Sequence, residues 1–550
     1  MGSAQPLPMG SVPQGAPRDV RGTGRLAVLL RVGLVGLIAL LVASSAAWLG
    51  LGPLAAVLGL IAALVVMRRP ALGGPVFAAV LILNLPAIGA RFYGVPPLVA
   101  GAASAILLIP IVAAAARGKP LLVGTPALPW IVAYGLALVL STLASTAVGD
   151  AAATVSVFVM EGLVLYLLVT SSLRSRGDLR AVIWVVVLAG GLLGAVSIDQ
   201  EARHAYDDTY LGLGQTQVGA IRVQDSAVSQ PADRPRLAGP IGETNRYAQL
   251  MLVLLPLAIY LAASEPRRGA RWLALACTAA ILAAIVLTFS RGAIVVMVLL
   301  VPLMAMTGFV RWRTVLAGGL ILVVLSATAV PGFVDRLESF RGVEGLVGAT
   351  GEAADPDGAI IGRATSNLAA LGTFLDHPIL GVGPGIYYLD YSRLYANRLG
   401  LRYFDDDRRA HNLYLETAAD TGVVGLSALM GVCAVTLLTL LRARRAALRR
   451  GDALGARLCL AFVFSVVAYL GTALFLHLSY ERYFWFMIAL ANVAGVLLFA
   501  RIESHAEARP IVRLASLTAW DRVGRRPSSR WWKAHQDTPG RADRTDRAVT

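Results

Sequence analysis

The chain has 550 residues, of which 57% are hydrophobic and only 15% charged, and its formal net charge is +16. Soluble globular proteins carry charges on about a quarter of their residues, so that class is excluded. The positive balance does not indicate nucleic acid either, because the arginines cluster at the ends of apolar runs and in the C-terminal tail.

In chain order, residues 1–25 are rich in Gly, Pro and Ser, with Arg18, Arg21 and Arg25. They read as a disordered cytoplasmic start feeding an anchor, not as a cleaved signal. Apolar runs of about 20 residues, the length a bilayer-crossing helix needs, then recur. They predict about 14 (12–14) transmembrane helices, at 30–49, 51–67, 71–90, 97–116, 127–146, 153–171, 180–197, 247–263, 271–289, 292–309, 314–331, 421–441, 457–478 and 483–500. The second, third and tenth are short or interrupted by Pro and Gly. Cys277, Cys433 and Cys459 all fall inside such runs, so they read as small hydrophobes, not as a disulfide framework or a thiolate metal site.

The arginines set the topology. Alternate connections carry Arg68–Arg69, Arg117–Lys119, Arg174–Arg176–Arg180, Arg267–Arg268–Arg271, Arg311–Arg313 and "RARRAALRR", whereas the turns between them are poor in basic residues. By the positive-inside rule both termini are cytoplasmic. The expected organisation is therefore a cytoplasmic N-terminus (1–25), helices 1–11 (26–331) with an outer loop at 198–246, a large outer loop at 332–420, helices 12–14 (421–500) and a basic cytoplasmic tail (501–550). This is an all-α polytopic membrane protein whose long connections both lie outside, so its work is expected there.

The large loop opens with "GVEGLVGATGEAADPDGAIIG", which reads as coil. From Arg363, Ala364, Leu368, Leu371 and Leu375 recur at helical spacing and predict an amphipathic helix. Pro378 and the glycines of "GVGPG" end it. Tyr387, Tyr391, Leu394 and Arg398 form a second stripe, suited to packing more than to ligand contact.

His411 lies where this loop re-enters the apolar sequence, with Asp405 to Asp407, Arg408 and Arg409 just before it. An unperturbed histidine titrates near 6.5 and can accept a proton at neutral pH. A lone histidine in such a place is more often a cap or a packing residue, and on the spacing alone both readings stand.

Four stretches considered together change the weighting: "HNLYLETAADTGVVGL" from His411, "DHPILGVGPG" at 376–385, "SRG" at 290–292 and "GPIGETNRYAQ" at 239–249. They resemble the O-antigen ligases and O-antigen polymerases, most recognisably in His411, Asn412, Tyr414, Leu415, Gly422 and Gly425. The resemblance covers residues 239–500. It implies a GT-C-like arrangement in a bacterial plasma (inner) membrane, with an extracytoplasmic active site. The implied reaction moves a glycan from a polyprenyl-diphosphate carrier to a glycan, lipid or cell-wall acceptor hydroxyl, with no cofactor, no metal and no nucleic acid. His411 becomes the base. Arg291, Arg363 and, with a weaker claim, Arg246 become the cations that stabilise the diphosphate leaving group, a task suited to the planar guanidinium. Asn412, Tyr414 and Glu416 become supporting residues. The acidic run Asp405 to Asp407 reads as a hydrated turn. Where the family often shows Asn-Pro-Asn, this chain has Glu243-Thr244-Asn245, so no role is carried onto Glu243 or Thr244.

Two rival classes are weighed. A lipid or polysaccharide transporter or flippase needs ionisable groups inside the bilayer, and Glu161 in "VSVFVMEGLVLYLLV" is the clearest case. Metal-dependent lipid-carrier glycosyltransferases place an acid in the first outer loop, which here is about "GLG". Within the resembled family, ligase, polymerase and glycan-to-protein transferase share donor chemistry and are not separated by these residues.

Overall fold

The computed structural model describes residues 52–95, 102–217, 235–316, 319, 358–399, 409–478 and 481–499. The expected span at 30–49, most of that at 314–331, the expected coil before the loop helix, Asp405 to Asp407 and the terminal segments lie outside the described residues.

The described chain is helical apart from one two-stranded ribbon. In order come α1 (Gly52–Arg68), α2 (Gly73–Ile82), α3 (Leu85–Tyr93), α4 (Leu108–Ala115) and α5 (Leu128–Leu143). α6 (Val148–Ser172) and α7 (Arg176–Ala202) follow. β1 (Gln215–Gln217) pairs antiparallel with β2 (Arg236–Gly239). Then come α8 (Thr244–Ser264), α9 (Arg268–Leu287), α10 (Arg291–Met306), α11 (Gly358–Asp376), α12 (Ser392–Arg398), α13 (Leu413–Arg449), α14 (Ala453–Thr472) and α15 (Glu481–Phe499).

Among the described residues, seven helices are long and apolar enough to cross a membrane: α6, α7, α8, α9, α13, α14 and α15. An eighth is reached if Pro70–Ile82 and Leu85–Tyr93, bent by 49°, form one broken span. α4, α5, α10 and the end of α1 are apolar but shorter. Of the fourteen expected spans, the described residues show seven of full length, or eight with the bent pair, so the expected count is not reached among them. α13 also starts eight residues before the expected span at 421, because the helix is capped inside the loop.

Local sequence explains several boundaries. Ser175 and Asp178 form a capping box at the start of α7, and the Asp452 side chain accepts from Gly455 N (2.8 Å) at the start of α14. Charged pairs tie this side of the bundle: Arg176 to Asp452 (2.7 Å) and Arg180 to Glu265. α7 and α9 meet through small residues. A Cβ on Gly191 would lie 2.6 Å from Cys277 Sγ, and one on Gly194 only 2.4 Å from the Ala280 carbonyl oxygen. Small residues at such a contact allow the close backbone approach that replaces a hydrophobic driving force in lipid.

α8 and α15 are the most enclosed of the spans, and the largest core cluster is built around them. α6 contains a π-turn at Phe158–Val164. Glu161 in that turn pairs with Arg482 of α15 at 3.1 Å. Arg482 Nη2 also donates to Asn84 Oδ1 (3.1 Å), at the break between α2 and α3.

Candidate active site

The site is built where two of the sequence stretches lock together. α13 is interrupted at Gly422, which has φ 63° and ψ −166°, a conformation close to glycine-only. The interruption splits α13 into a short segment from Leu413 and a long remainder. Into the break fits the backbone of the 378–387 segment. Val423 N donates to Pro378 O (2.8 Å), Val382 N to Ala419 O (3.0 Å) and Gly383 N to Asp420 O (2.9 Å). The Asp420 carboxylate completes the joint, accepting from Gly385 N and Tyr387 N at 3.0 Å each. Contact is close: a Cβ on Gly422 would lie 2.1 Å from Ile379 O. The carbonyl of Asp420 also accepts from Ser141 Oγ of α5 (2.7 Å), so the joint is fixed to the bundle.

His411 sits at the entry to this short segment with φ 49°, an uncommon backbone state for a non-glycine residue. Its neighbours hold it. Asn412 is the N-cap, its Oδ1 accepting from Tyr414 N (3.0 Å) and Leu415 N (3.2 Å). Tyr414 OH donates to Leu470 O (2.7 Å), and Leu413 N donates to Ala473 O (2.9 Å). The buried Glu416 accepts from Ala410 N (3.0 Å) and pairs with Arg409 at 3.3 Å. Each of the three supporting residues is thus bonded to the start of α13, to the segment just before His411, or to α14 beside it.

The turn between α14 and α15 brings a second histidine. The His411 and His477 rings meet edge to face with centroids 5.3 Å apart. Burial, and after it the charges of Arg246, Arg409 and His411, hold the His477 imidazole well below its usual range. His477 is therefore neutral at neutral pH.

Arg246 opens α8 and is 3% exposed. Its Nε lies 3.3 Å from a Glu243 carboxylate oxygen, and none of its three guanidinium nitrogens makes a hydrogen bond among the described residues. Burying a guanidinium costs several kcal/mol, which one carboxylate contact without good hydrogen bonds offsets only in part. It borders a cleft with Gln249, Tyr469 and Tyr483, and Gln249 Nε2 is bonded to Thr472 Oγ1 (2.9 Å), just before the His477 turn. Arg291 opens α10. Its predecessor Ser290 donates to Asn245 Oδ1 (2.8 Å), and a Cβ on Gly292 would lie 2.9 Å from the Phe475 ring. The "ETNR" and "SRG" stretches therefore meet each other and the His477 turn.

Arg363 lies on α11, three residues before Ser366, whose carbonyl accepts from the buried Tyr387 OH (2.7 Å). The structure thus gathers His411, Arg246 and the Arg291 turn around the end of α14, and places Arg363 on the covering helix, one turn from the Tyr387 joint. The expected helix from Arg363 begins earlier, at Gly358. Of the second stripe, Tyr387 is buried, whereas Leu394 and Arg398 are exposed.

A second, partly open cleft is lined by Tyr134, Thr154, Arg409, Glu416, Asp420 and Glu481 among others. Arg409 also lies over the Tyr388 ring at 4.3 Å. Among the described residues, no group of three or more His, Cys, Asp or Glu is placed to hold a metal ion. The sequence reading missed His477, Asp420, Glu481 and the position of Arg409. Asp420, four residues after Glu416 in one motif, was within reach of a helical-spacing argument; His477 becomes visible only when α14 packs beside α13.

Glu161, the residue that favoured a transporter, is paired with Arg482. No curated protein matches the chain. Residues 275–430, which hold the "SRG" turn, α11, the 376–385 segment and His411 to Gly425, match the family model described as O-antigen ligase.

Proposed function

We propose that the chain transfers a glycan from a polyprenyl-diphosphate carrier to an acceptor hydroxyl, at the extracytoplasmic end of the bundle. His411 takes the proton of the hydroxyl. The oxygen attacks the anomeric carbon, the bond from that carbon to the diphosphate oxygen breaks, and the lipid diphosphate leaves with the electron pair. Negative charge grows on the leaving group, and Arg246, Arg291 and Arg363 are the cations set to meet it. The family match supports glycan transfer of the ligase or polymerase type.

The observation that carries the residue roles is Arg246: a guanidinium 3% exposed, with no hydrogen-bond partner among the described residues, at the turn that also brings His477 to His411. An oxyanion is the group that would satisfy it. Glu161 no longer favours transport, because a carboxylate in an ion pair needs no translocated cation to explain it.

The test is transfer from a lipid-diphosphate-linked glycan by the purified protein in vesicles. His411→Ala is expected to lower turnover by about 10²–10⁴-fold, the usual worth of a general base, with the variant still inserted and folded. Unchanged turnover would remove His411 as the base. Loss of a surface glycan with accumulation of its carrier-linked precursor, on deleting the gene, is the expected cellular counterpart.

A further inference from the structure

α11 is built the opposite way round from a helix on a water-soluble protein. Its inward face is small or hydroxylated: Thr365, Ser366, Ala369, Ala370 and Thr373 are buried. Its outward face is leucine. Leu368, Leu371 and Leu375 are 48%, 39% and 65% exposed, and Ile379, just beyond the helix, is 65% exposed. A helix in water turns its leucines inward, and an apolar stripe left outside marks a contact surface. Small residues inside with leucines outside is the pattern of a helix facing lipid.

The stripe does not end in solvent. Val423 N donates to Pro378 O (2.8 Å) and Val424 N to Ile379 O (3.3 Å), which seats Ile379 against the first residues of α13 after its break. Val423 and Val424 are themselves exposed, at the start of the part of α13 that is long and apolar enough to cross the membrane. The exposed surface therefore runs from the span onto α11 without leaving apolar residues.

We propose that α11 lies in the plane of the membrane interface, its Leu368–Leu371–Leu375 stripe and Ile379 embedded in the acyl chains of the leaflet at that end of the bundle. An interfacial helix of this kind buries its apolar side about 5–10 Å into the boundary between headgroups and chains. The covering element of the site is then held down by lipid as well as by the backbone joint at Gly422, and Arg363 is carried at headgroup level. This inference does not depend on the transfer reaction.

The full chain, with Cys277, Cys433 and Cys459 replaced by alanine, is reconstituted in vesicles of phosphatidylcholine and phosphatidylglycerol. Single spin labels are placed through Leu371→Cys or Leu375→Cys, with Val424→Cys as a lipid-facing reference and Asp207→Cys, at an exposed loop residue, as an aqueous one. Collision rates with oxygen, which concentrates in lipid, and with a water-soluble nickel complex are measured. At Leu371 and Leu375 the oxygen rate is expected to rise and the nickel rate to fall relative to Asp207, approaching the Val424 values. Nickel access equal to that at Asp207 would place the helix in water and overturn the proposal. Low access to both reagents would mean that protein covers the stripe, and would overturn it equally.

Discussion

The α7–α9 contact and the break in α13 both depend on glycine, for different physical reasons. At Gly194 the backbone is an ordinary helix, and glycine is needed because a neighbouring carbonyl lies 2.4 Å from where a Cβ would be. Two apolar cylinders separated by a methyl group still pack, at some cost. At Gly422 the requirement is double: the φ and ψ values suit glycine alone, and the approaching backbone of Ile379 forms part of a hydrogen-bonded joint. A scaffold contact can yield by degrees, but a backbone joint cannot be moved without breaking the bonds that define it. The helices that hold the bundle are thus more tolerant than the short segment that aims His411.

Gly422→Ala should have the largest effect, because it joins backbone strain to overpacking, for a total of about 4 kcal/mol. Transfer is expected to vanish and the loop above the break to become sensitive to protease. Gly149→Ala is the matched control, since a Cβ there meets nothing within 4 Å, and it should leave both properties unchanged. Equal behaviour of the two variants would mean that the joint is not what positions the site.

Next in size is Arg246→Ala, expected to lower transfer by about 10²–10³-fold if the guanidinium meets developing charge. Arg246→Lys should recover little of it, because an ammonium lacks the planar fork that grips two phosphate oxygens. Full recovery with lysine would leave a point charge sufficient. Gly194→Ala completes the contrast. It should cost about 1–3 kcal/mol of stability through helix separation, read as a lower unfolding temperature in detergent, while turnover per folded molecule stays near wild type.

These contrasts also show what a one-dimensional reading can reach. Apolar runs located the long helices because a span is a local property, fixed by some twenty consecutive residues. The short segment Leu413–Asp420 falls in the expected loop, because its helicity comes from the Asn412 cap and its burial from the docked 378–387 segment. The leucines of α11 were read as an amphipathic face, correctly as to period, but spacing carries no information on whether that face meets protein or surroundings. On sequence alone Arg246 has the weakest claim of the three cations, because an arginine at a span entry ordinarily reaches headgroups. Its enclosure follows from the packing of α8 among α7, α9 and α14, a long-range fact. His477 lies sixty-six positions after His411, and no local pattern links them.

The smallest expected effect isolates His477. Buried and surrounded by Arg246, Arg409 and His411, its imidazole stays neutral in the folded protein, whereas in an unfolded chain it titrates near 6.5. Below that pH the unfolded state therefore binds a proton that the native state refuses, so stability falls as pH falls, by at most about 1.4 kcal/mol per pH unit. The Asp376 carboxyl is held below the usual carboxylate range by hydrogen bonds from Tyr395 and Arg398. Its contribution is present above about pH 3.9 and is lost only as pH falls further, so it does not enter the same window. His477→Gln keeps a polar side chain and removes the titration. Unfolding temperature between about pH 6.5 and pH 5 should decline less steeply in that variant than in wild type, with the two curves meeting above pH 7. Parallel curves would mean that His477 takes up its proton in the folded protein, so that burial and the neighbouring Arg246 and Arg409 do not exclude it.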